Sequence, residues 1–160
     1  MKAQEIYLIL HNIRSAYNVG SIFRTADAAG VAKVFVCGYS PPPNDKKVAK
    51  TALGAEKTVP WEHYRQTWRL LEKLKKEGVQ IIALEQTKKS VDYRQFEPKF
   101  PLALVVGNEV KGLSQKILAR ADKIIAIPMY GKKESLNVAV AAGIAIYKLS
   151  EGKTNIKCPH

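Results

Sequence analysis

Ile124–Leu149, IIAIPMYGKKESLNVAVAAGIAIYKL, is the stretch whose reading decides the fold. Ile124–Ile127 is a short apolar run of strand type, stopped by Pro128. A polar turn follows over Met129–Glu134, and Ser135 stands where a helix N-cap belongs. From Leu136 to Tyr147 nearly every side chain is small or apolar, Asn137 being the one strongly polar exception. A helix that is apolar all round is not a surface helix of a small monomer. One side can lie on a sheet. The other needs a further cover, most simply a second subunit, with Ile144 and Ala141 expected on that outward side. Asn137, polar in apolar surroundings, needs a partner or a task.

Upstream of this stretch, strand and helix patterns alternate. Ile6–Leu10 reads as a buried strand. Val19, Ile22, Phe23 and Ala26 recur at helical spacing, which predicts a helix from near Asn18 to Gly30, with Arg24 off its apolar stripe. Lys33–Cys37 is a second strand, and Asp45–Leu53 a short helix carrying Lys46, Lys47 and Lys50. Tyr64–Glu77 reads as an amphipathic helix with Tyr64, Trp68, Leu71 and Leu74 inward, closed by Gly78. Val79–Leu84 and Leu102–Val106 are strands; a short helix is expected near Ser90–Phe96 and another from Ser114 to Arg120. Strands rich in Ile, Val and Leu that alternate with helices give an α/β fold, a mostly parallel sheet with helices on both faces.

The whole-chain numbers narrow the class. A length of 160 residues fits one domain over 1–160 with a core of its own. Lys and Arg outnumber Asp and Glu by 26 to 14, a net charge of +12, which points to a polyanionic partner, most simply nucleic acid. The two cysteines, Cys37 and Cys158, have no metal-ligand spacing, so no zinc site is expected, and Cys37 reads as a reduced core residue of a cytoplasmic protein. The N-terminal apolar run is too short for a signal peptide, and Leu136–Tyr147 is too short to cross a bilayer.

In open parallel sheets, ligands bind beyond the carboxyl ends of the strands. Here those ends read Cys37-Gly38, Leu84-Glu85, Val106-Gly107-Asn108-Glu109 and Ile127-Pro128-Met129. Gly107–Ser114 superficially resembles a phosphate-binding P-loop. That loop needs a lysine directly after its second glycine, and Leu113 stands there instead. A nucleotide hydrolase is thereby disfavoured, and the absence of GxGxxG leaves a dinucleotide site unsupported.

Three segments together resemble a known family. Asn18-Val19-Gly20-Ser21-Ile22-Phe23-Arg24-Thr25-Ala26 resembles the first motif of the SpoU (TrmH-type) RNA ribose methyltransferases. Gly107–Ser114 resembles the second, and Ile127–Ala142, with Glu134-Ser135-Leu136-Asn137-Val138-Ala139, the third. Their order and spacing span almost the whole chain. One departure stands out: Val110 occupies a position where the family pattern has glycine, and a left-handed backbone there would strain a β-branched residue.

The resemblance implies a SPOUT-type fold whose C-terminal segment is threaded into a trefoil knot, working as a homodimer in the cytoplasm. It implies S-adenosylmethionine as cofactor, held near Leu84, Gly107, Asn108, Gly112, Ile127, Met129 and Leu136, and no metal. The substrate would be a ribose 2′-hydroxyl of tRNA or rRNA. Arg24 is the catalytic residue by the motif; an arginine stays protonated at neutral pH, so gripping a phosphate or polarising the hydroxyl suits it better than acting alone as a base. Asn18, Glu109, Ser135 and Asn137 are the polar motif residues that would orient Arg24 and the ribose, although Glu109 could equally pair with Lys111. RNA would be gripped by Arg14, Lys46, Lys47 and Lys50, with Lys88 and Lys132 as further candidates, whereas Lys73, Lys75 and Lys76 suit a solvated face partly paired with Glu72 and Glu77. With no appended RNA-binding domain expected, the catalytic domain itself would find the substrate. A basic RNA-binding module of the same fold, without catalysis, shares the charge and remains the competing class.

Overall fold

The computed structural model describes residues 4–151 and 153; Cys158 lies outside them. Among these residues seven strands form one sheet: β1 (Ile6–His11), β2 (Lys33–Cys37), β3 (Trp61–Tyr64), β4 (Gln80–Leu84), β5 (Val91–Asp92), β6 (Leu102–Val106) and β7 (Lys123–Ala126). Their order is β3-β2-β1-β6-β4-β7-β5, and every neighbouring pair runs parallel. Among the described residues the helices are α1 (Ala16–Ala29), α2 (Lys46–Ala52), α3 (Ala55–Thr58), α4 (Thr67–Lys76), α5 (Gln115–Leu118) and α6 (Val138–Leu149).

The period-two alternation of a strand sends neighbouring side chains to opposite faces. Ile6, Leu8 and Leu10 of β1 therefore join Val19, Ile22 and Phe23 of α1, Val48 of α2 and Ile146 of α6 in one core layer. Ile9 of the same strand faces the other way, into a layer with Phe35, Leu70, Leu71, Leu74 and Ile117 under α4 and α5. Helices thus cover both faces, and the central strand β6 is apolar and buried throughout.

α1 is the pivot of its layer, lying against α2, α3 and α6. Its N-cap Ser15 accepts a hydrogen bond from the Asn18 N–H, and the left-handed Gly30 closes its other end. Lys153 adds a second tie there, its ammonium donating to the Ala29 carbonyl at 3.3 Å. Gly20 faces α2 directly: a Cβ there would fall 2.2 Å from the Val48 carbonyl oxygen and 2.0 Å from Thr51 Oγ1. Only a bare backbone lets the two helices approach this closely.

Several element boundaries differ from the sequence expectation. Tyr64 ends an edge strand rather than opening α4, because Trp61–Tyr64 pairs with Val34–Cys37 of β2. Its spacing from Trp68 imitates a helical repeat. The buried residues of α4 are Thr67, Leu70, Leu71 and Leu74, and Trp68 is only half-buried. No helix forms over Ser90–Phe96; β5 and a turn lie there, tied to β7 by the Tyr93 N–H donating to the Ala126 carbonyl at 2.9 Å. Helix α5 stops at Leu118, short of Arg120, and Glu72 pairs with Arg120 and Lys75 with Asp122 instead of within α4. Helix α6 begins later than expected. Its N-cap is Asn137, whose side-chain carbonyl accepts from the Ala139 and Val140 N–H groups, so Ser135 is not the cap.

Candidate active site

At the carboxyl ends of β4, β6 and β7 lies a cavity of about 680 Å³. Leu84, Gly107, Ile127, Met129, Leu136 and Val138 supply its apolar wall; Glu85, Asn108, Glu109, Ser135 and Asn137 supply polar groups. All seven residues expected at a cofactor site line it, Gly112 included. The volume lies within the range of small-molecule sites, about 300–1,000 Å³.

The loop from Gly107 to Leu113 is built around Asn108. Its carbonyl oxygen accepts from the N–H groups of Val110 and Lys111 at 2.9 and 2.8 Å. Its amide donates to the Asn12 carbonyl at 2.9 Å and to the Tyr39 hydroxyl at 2.8 Å. A side chain that is buried and fully bonded in this way fixes the loop against the end of β1. Val110 is 77% exposed and is not among the residues with positive φ, so its branched side chain is accommodated without strain. Gly112 does take a left-handed φ of 64°, and a Cβ on it would lie 2.2 Å from Glu85 Oε2. Glu85 in turn accepts from the Leu113 N–H at 2.8 Å, joining the end of β4 to this loop.

Glu109 does not pair with Lys111. Its carboxylate accepts from the N–H of Arg14 at 2.9 Å, the N–H of Ser15 at 3.0 Å and the Asn18 amide at 3.0 Å. It thus caps the start of α1 from a distant strand end, where the helix dipole favours a negative charge. Burial pushes its pKa up, but the Arg14, Ser15 and Asn18 donors outweigh that, and the carboxyl sits below its ordinary value. Asn18 passes the connection on: its carbonyl accepts from the Asn137 amide at 3.2 Å. One polar line, Glu109–Asn18–Asn137, therefore joins three segments far apart in sequence; Glu109 and Asn137 line the cavity, and Asn18 ties them together without lining it. Ser135 lies on the cavity wall beside them.

Arg24 stands apart. It is exposed on α1, six residues beyond Asn18 and so about 9 Å further along the helix axis. It is not among the cavity-lining residues. Ala141, expected on the outward side of α6, lines the cavity instead. Arg14, Lys46, Lys47 and Lys50 are all exposed, as are Lys88 and Lys132. No group of three or more His, Cys, Asp or Glu capable of holding a metal occurs among the described residues, and no helix among them is long and apolar enough to cross a membrane.

Sequence reasoning missed three residues of this region: Asn12, Glu85 and Tyr39. Asn12 carried one local signal, since asparagine tolerates the left-handed conformation it adopts here (φ 52°). Glu85 and Tyr39 act across strand ends, where only the fold reveals the contact.

The family model described as SpoU rRNA Methylase matches residues 5–147. The chain is 36% identical to a tRNA (guanosine(18)-2′-O)-methyltransferase of Aquifex aeolicus, over 92% of this chain and 69% of that protein. It is 34% identical to the TrmH family protein YacO of Bacillus subtilis, over 91% of this chain; it spans 58% of that relative's length. Among solved structures, an AdoMet-bound rRNA methyltransferase from Sinorhizobium meliloti superposes with a TM-score of 0.90 at 29% identity, covering 97% of this chain and 59% of the other.

Proposed function

The chain belongs to the SpoU rRNA methylase family, and from that premise we propose that it methylates a ribose 2′-hydroxyl of RNA, most simply tRNA, with S-adenosylmethionine as methyl donor. The observation that carries the reading is the line Glu109–Asn18–Asn137, which bonds all three motif segments together where two of them line one cavity.

The cavity suits that cofactor by its chemistry. It offers an apolar slot from Leu84, Ile127 and Leu136, a loop held open by glycines at 107 and 112, and the carboxylates of Glu85 and Glu109 near a ligand that carries positive charge. S-adenosylmethionine supplies, when bound, a methyl group on a sulfonium that an oxygen nucleophile can take up. The protein's share is placement. Asn18 and Asn137, each locked by the other, present fixed polar groups at the mouth to orient a ribose. Glu109 is held ionised by the donors around it and keeps the start of α1 in position. Arg24 grips a phosphate or polarises the hydroxyl, and its distance from the cavity is what a second subunit would make up.

The homodimer belongs to the same proposal. Val140 and Tyr147 of α6 are each 52% exposed and Tyr17 of α1 is 47% exposed, an apolar face that a second copy would cover. The order β6-β4-β7-β5, with β7 between strands from two earlier segments before α6 returns to α1, is compatible with a threaded C-terminal segment. We read 1–160 as one unit working in the cytoplasm on RNA and without metal, Arg14, Lys46, Lys47 and Lys50 gripping the phosphates.

Calorimetry with S-adenosylhomocysteine in the presence of chelator tests the cofactor site; no heat at millimolar ligand refutes it. Tritium transfer from labelled cofactor into unmodified tRNA and rRNA transcripts tests the reaction. Transfer into tRNA, lost in Arg24→Ala, supports the reading; transfer into rRNA alone moves the substrate. RNA binding without transfer to any transcript refutes catalysis in favour of a binding module.

A further inference from the structure

Tyr39 is 57% exposed, yet everything that holds it is fixed. It follows Gly38, which takes a left-handed φ of 64° at the end of β2. A Cβ on Gly38 would fall 1.9 Å from Asn12 Oδ1, so the two strand ends meet backbone to side chain. Tyr39 donates its N–H to that same Asn12 oxygen at 3.1 Å. Ser40, next in sequence, is buried and accepts from the Ile13 N–H at 2.8 Å while donating to the Cys37 carbonyl at 2.9 Å. Three prolines, Pro41, Pro42 and Pro43, stiffen the way out. At its far end the phenol oxygen accepts from Asn108, the residue that shapes the Gly107–Leu113 loop.

An aromatic side chain tied at both ends leaves its ring in water with its conformational entropy already lost. The hydroxyl bond alone does not require this arrangement, because the Asn108 amide is also satisfied by the Asn12 carbonyl and solvent can serve its other proton. A rigid exposed ring between cations is what a protein uses to stack an unpaired base. The cations are present: Arg14 lies on the adjoining loop, and the Tyr39 loop runs directly into α2 with Lys46, Lys47 and Lys50, all exposed. Of the acids near these cations, Asp45 is engaged in capping α2 through the Lys47 N–H, and Glu109 accepts from the Arg14 and Ser15 N–H groups and the Asn18 amide. Asn108 and Glu109 are adjacent in sequence, so the ring borders the Glu109–Asn18–Asn137 line from the β2 side of the rim.

We propose that Tyr39 is the stacking platform for an unpaired RNA base at or beside the acceptor nucleotide, flanked by phosphate contacts from Arg14 and α2. The inference rests on the RNA-methyltransferase reading above and adds a base subsite to it.

The test compares Tyr39→Ala and Tyr39→Phe in the full chain, with unmodified tRNA transcripts as probe. Base–aromatic stacking contributes roughly 1–3 kcal/mol, which corresponds to about a 5- to 150-fold change in affinity. Tyr39→Ala is expected to raise the RNA KM within that range, leaving S-adenosylhomocysteine affinity and the salt dependence of RNA binding as in the wild type. Tyr39→Phe keeps the ring and is expected to recover most of the loss. Equal loss in both variants would assign the effect to the hydroxyl on Asn108 and overturn the platform, as would weaker cofactor binding in parallel or an unchanged RNA KM. A wild type that neither binds nor methylates RNA would refute the underlying reading and the subsite with it, and it would do so without any variant.

Discussion

At the scale of the residue, Glu109 ties the start of α1 to the loop after β6 and also lines the cavity proposed as the active site. Its carboxylate receives two backbone N–H groups and one amide, so replacing it with glutamine turns one acceptor into a donor facing donors. Glu109→Gln should cost about 1–2 kcal/mol of stability, since hydrogen bonds to an exposed charge are worth less than buried ones, and should impair methyl transfer more than folding. The pH dependence follows from the sign of the shift. The folded pKa lies below the ordinary value of 4.5, so this contribution is present above that value and lost as the pH falls through the folded pKa. His11 is also lowered, by burial, so its acid loss sets in earlier, as the pH drops below 6.5. Thermal melts of wild type and Glu109→Gln from pH 7 to 3 should therefore run parallel at the upper end and converge below about 4.5. Curves that stay equally far apart at acid pH would show that the carboxylate does not carry the difference.

At the scale of the element, the strands and the α1 stripe were legible because burial on both faces leaves a direct apolar signature. Val19, Ile22, Phe23 and Ala26 are the residues that α1 buries, along with Gly20. What the sequence could not show were contacts set by a neighbouring element. Tyr64 pairs with β2 and so leaves α4, and Asn137 caps α6 in place of Ser135 because its side chain faces the free N–H groups of the first turn. The cavity residues were found through motif resemblance. Their mutual bonds were not, since Glu109 and Asn18 are 91 positions apart. Gly20 is the sharpest case: inside a helix a glycine reads as a weakness, costing about 1 kcal/mol against alanine. Here it lets α1 meet α2. Gly20→Ala should therefore destabilise by about 1–3 kcal/mol despite the better helix propensity, because Val48 presents a backbone carbonyl that cannot turn away. Urea unfolding with an unchanged slope measures it, and a variant as stable as wild type would mean that α2 gives way freely.

At the scale of the whole molecule, the homodimer proposed above would answer both the distance between Arg24 and the cavity and the open face of α6. Ala142, Ala145, Ile146 and Leu149 of α6 are buried within the chain, while Val140 and Tyr147 face outward. Exposed apolar area of this kind costs about 25 cal/mol per Å². A second copy laid against this face would cover it and carry its own α1, with its Arg24, to the border of the neighbouring subunit. A site completed in this way predicts complementation. Arg24→Ala and Asn137→Ala should each abolish transfer, and mixing the two after joint refolding should restore part of it, because a mixed dimer holds one site with both residues intact. Ile144→Glu should give a monomer by sedimentation at micromolar concentration, with transfer lost. Two inactive variants that remain inactive together would place Arg24 in the service of its own subunit. A stable, active monomer would leave α6 exposed by design and the dimer without a role.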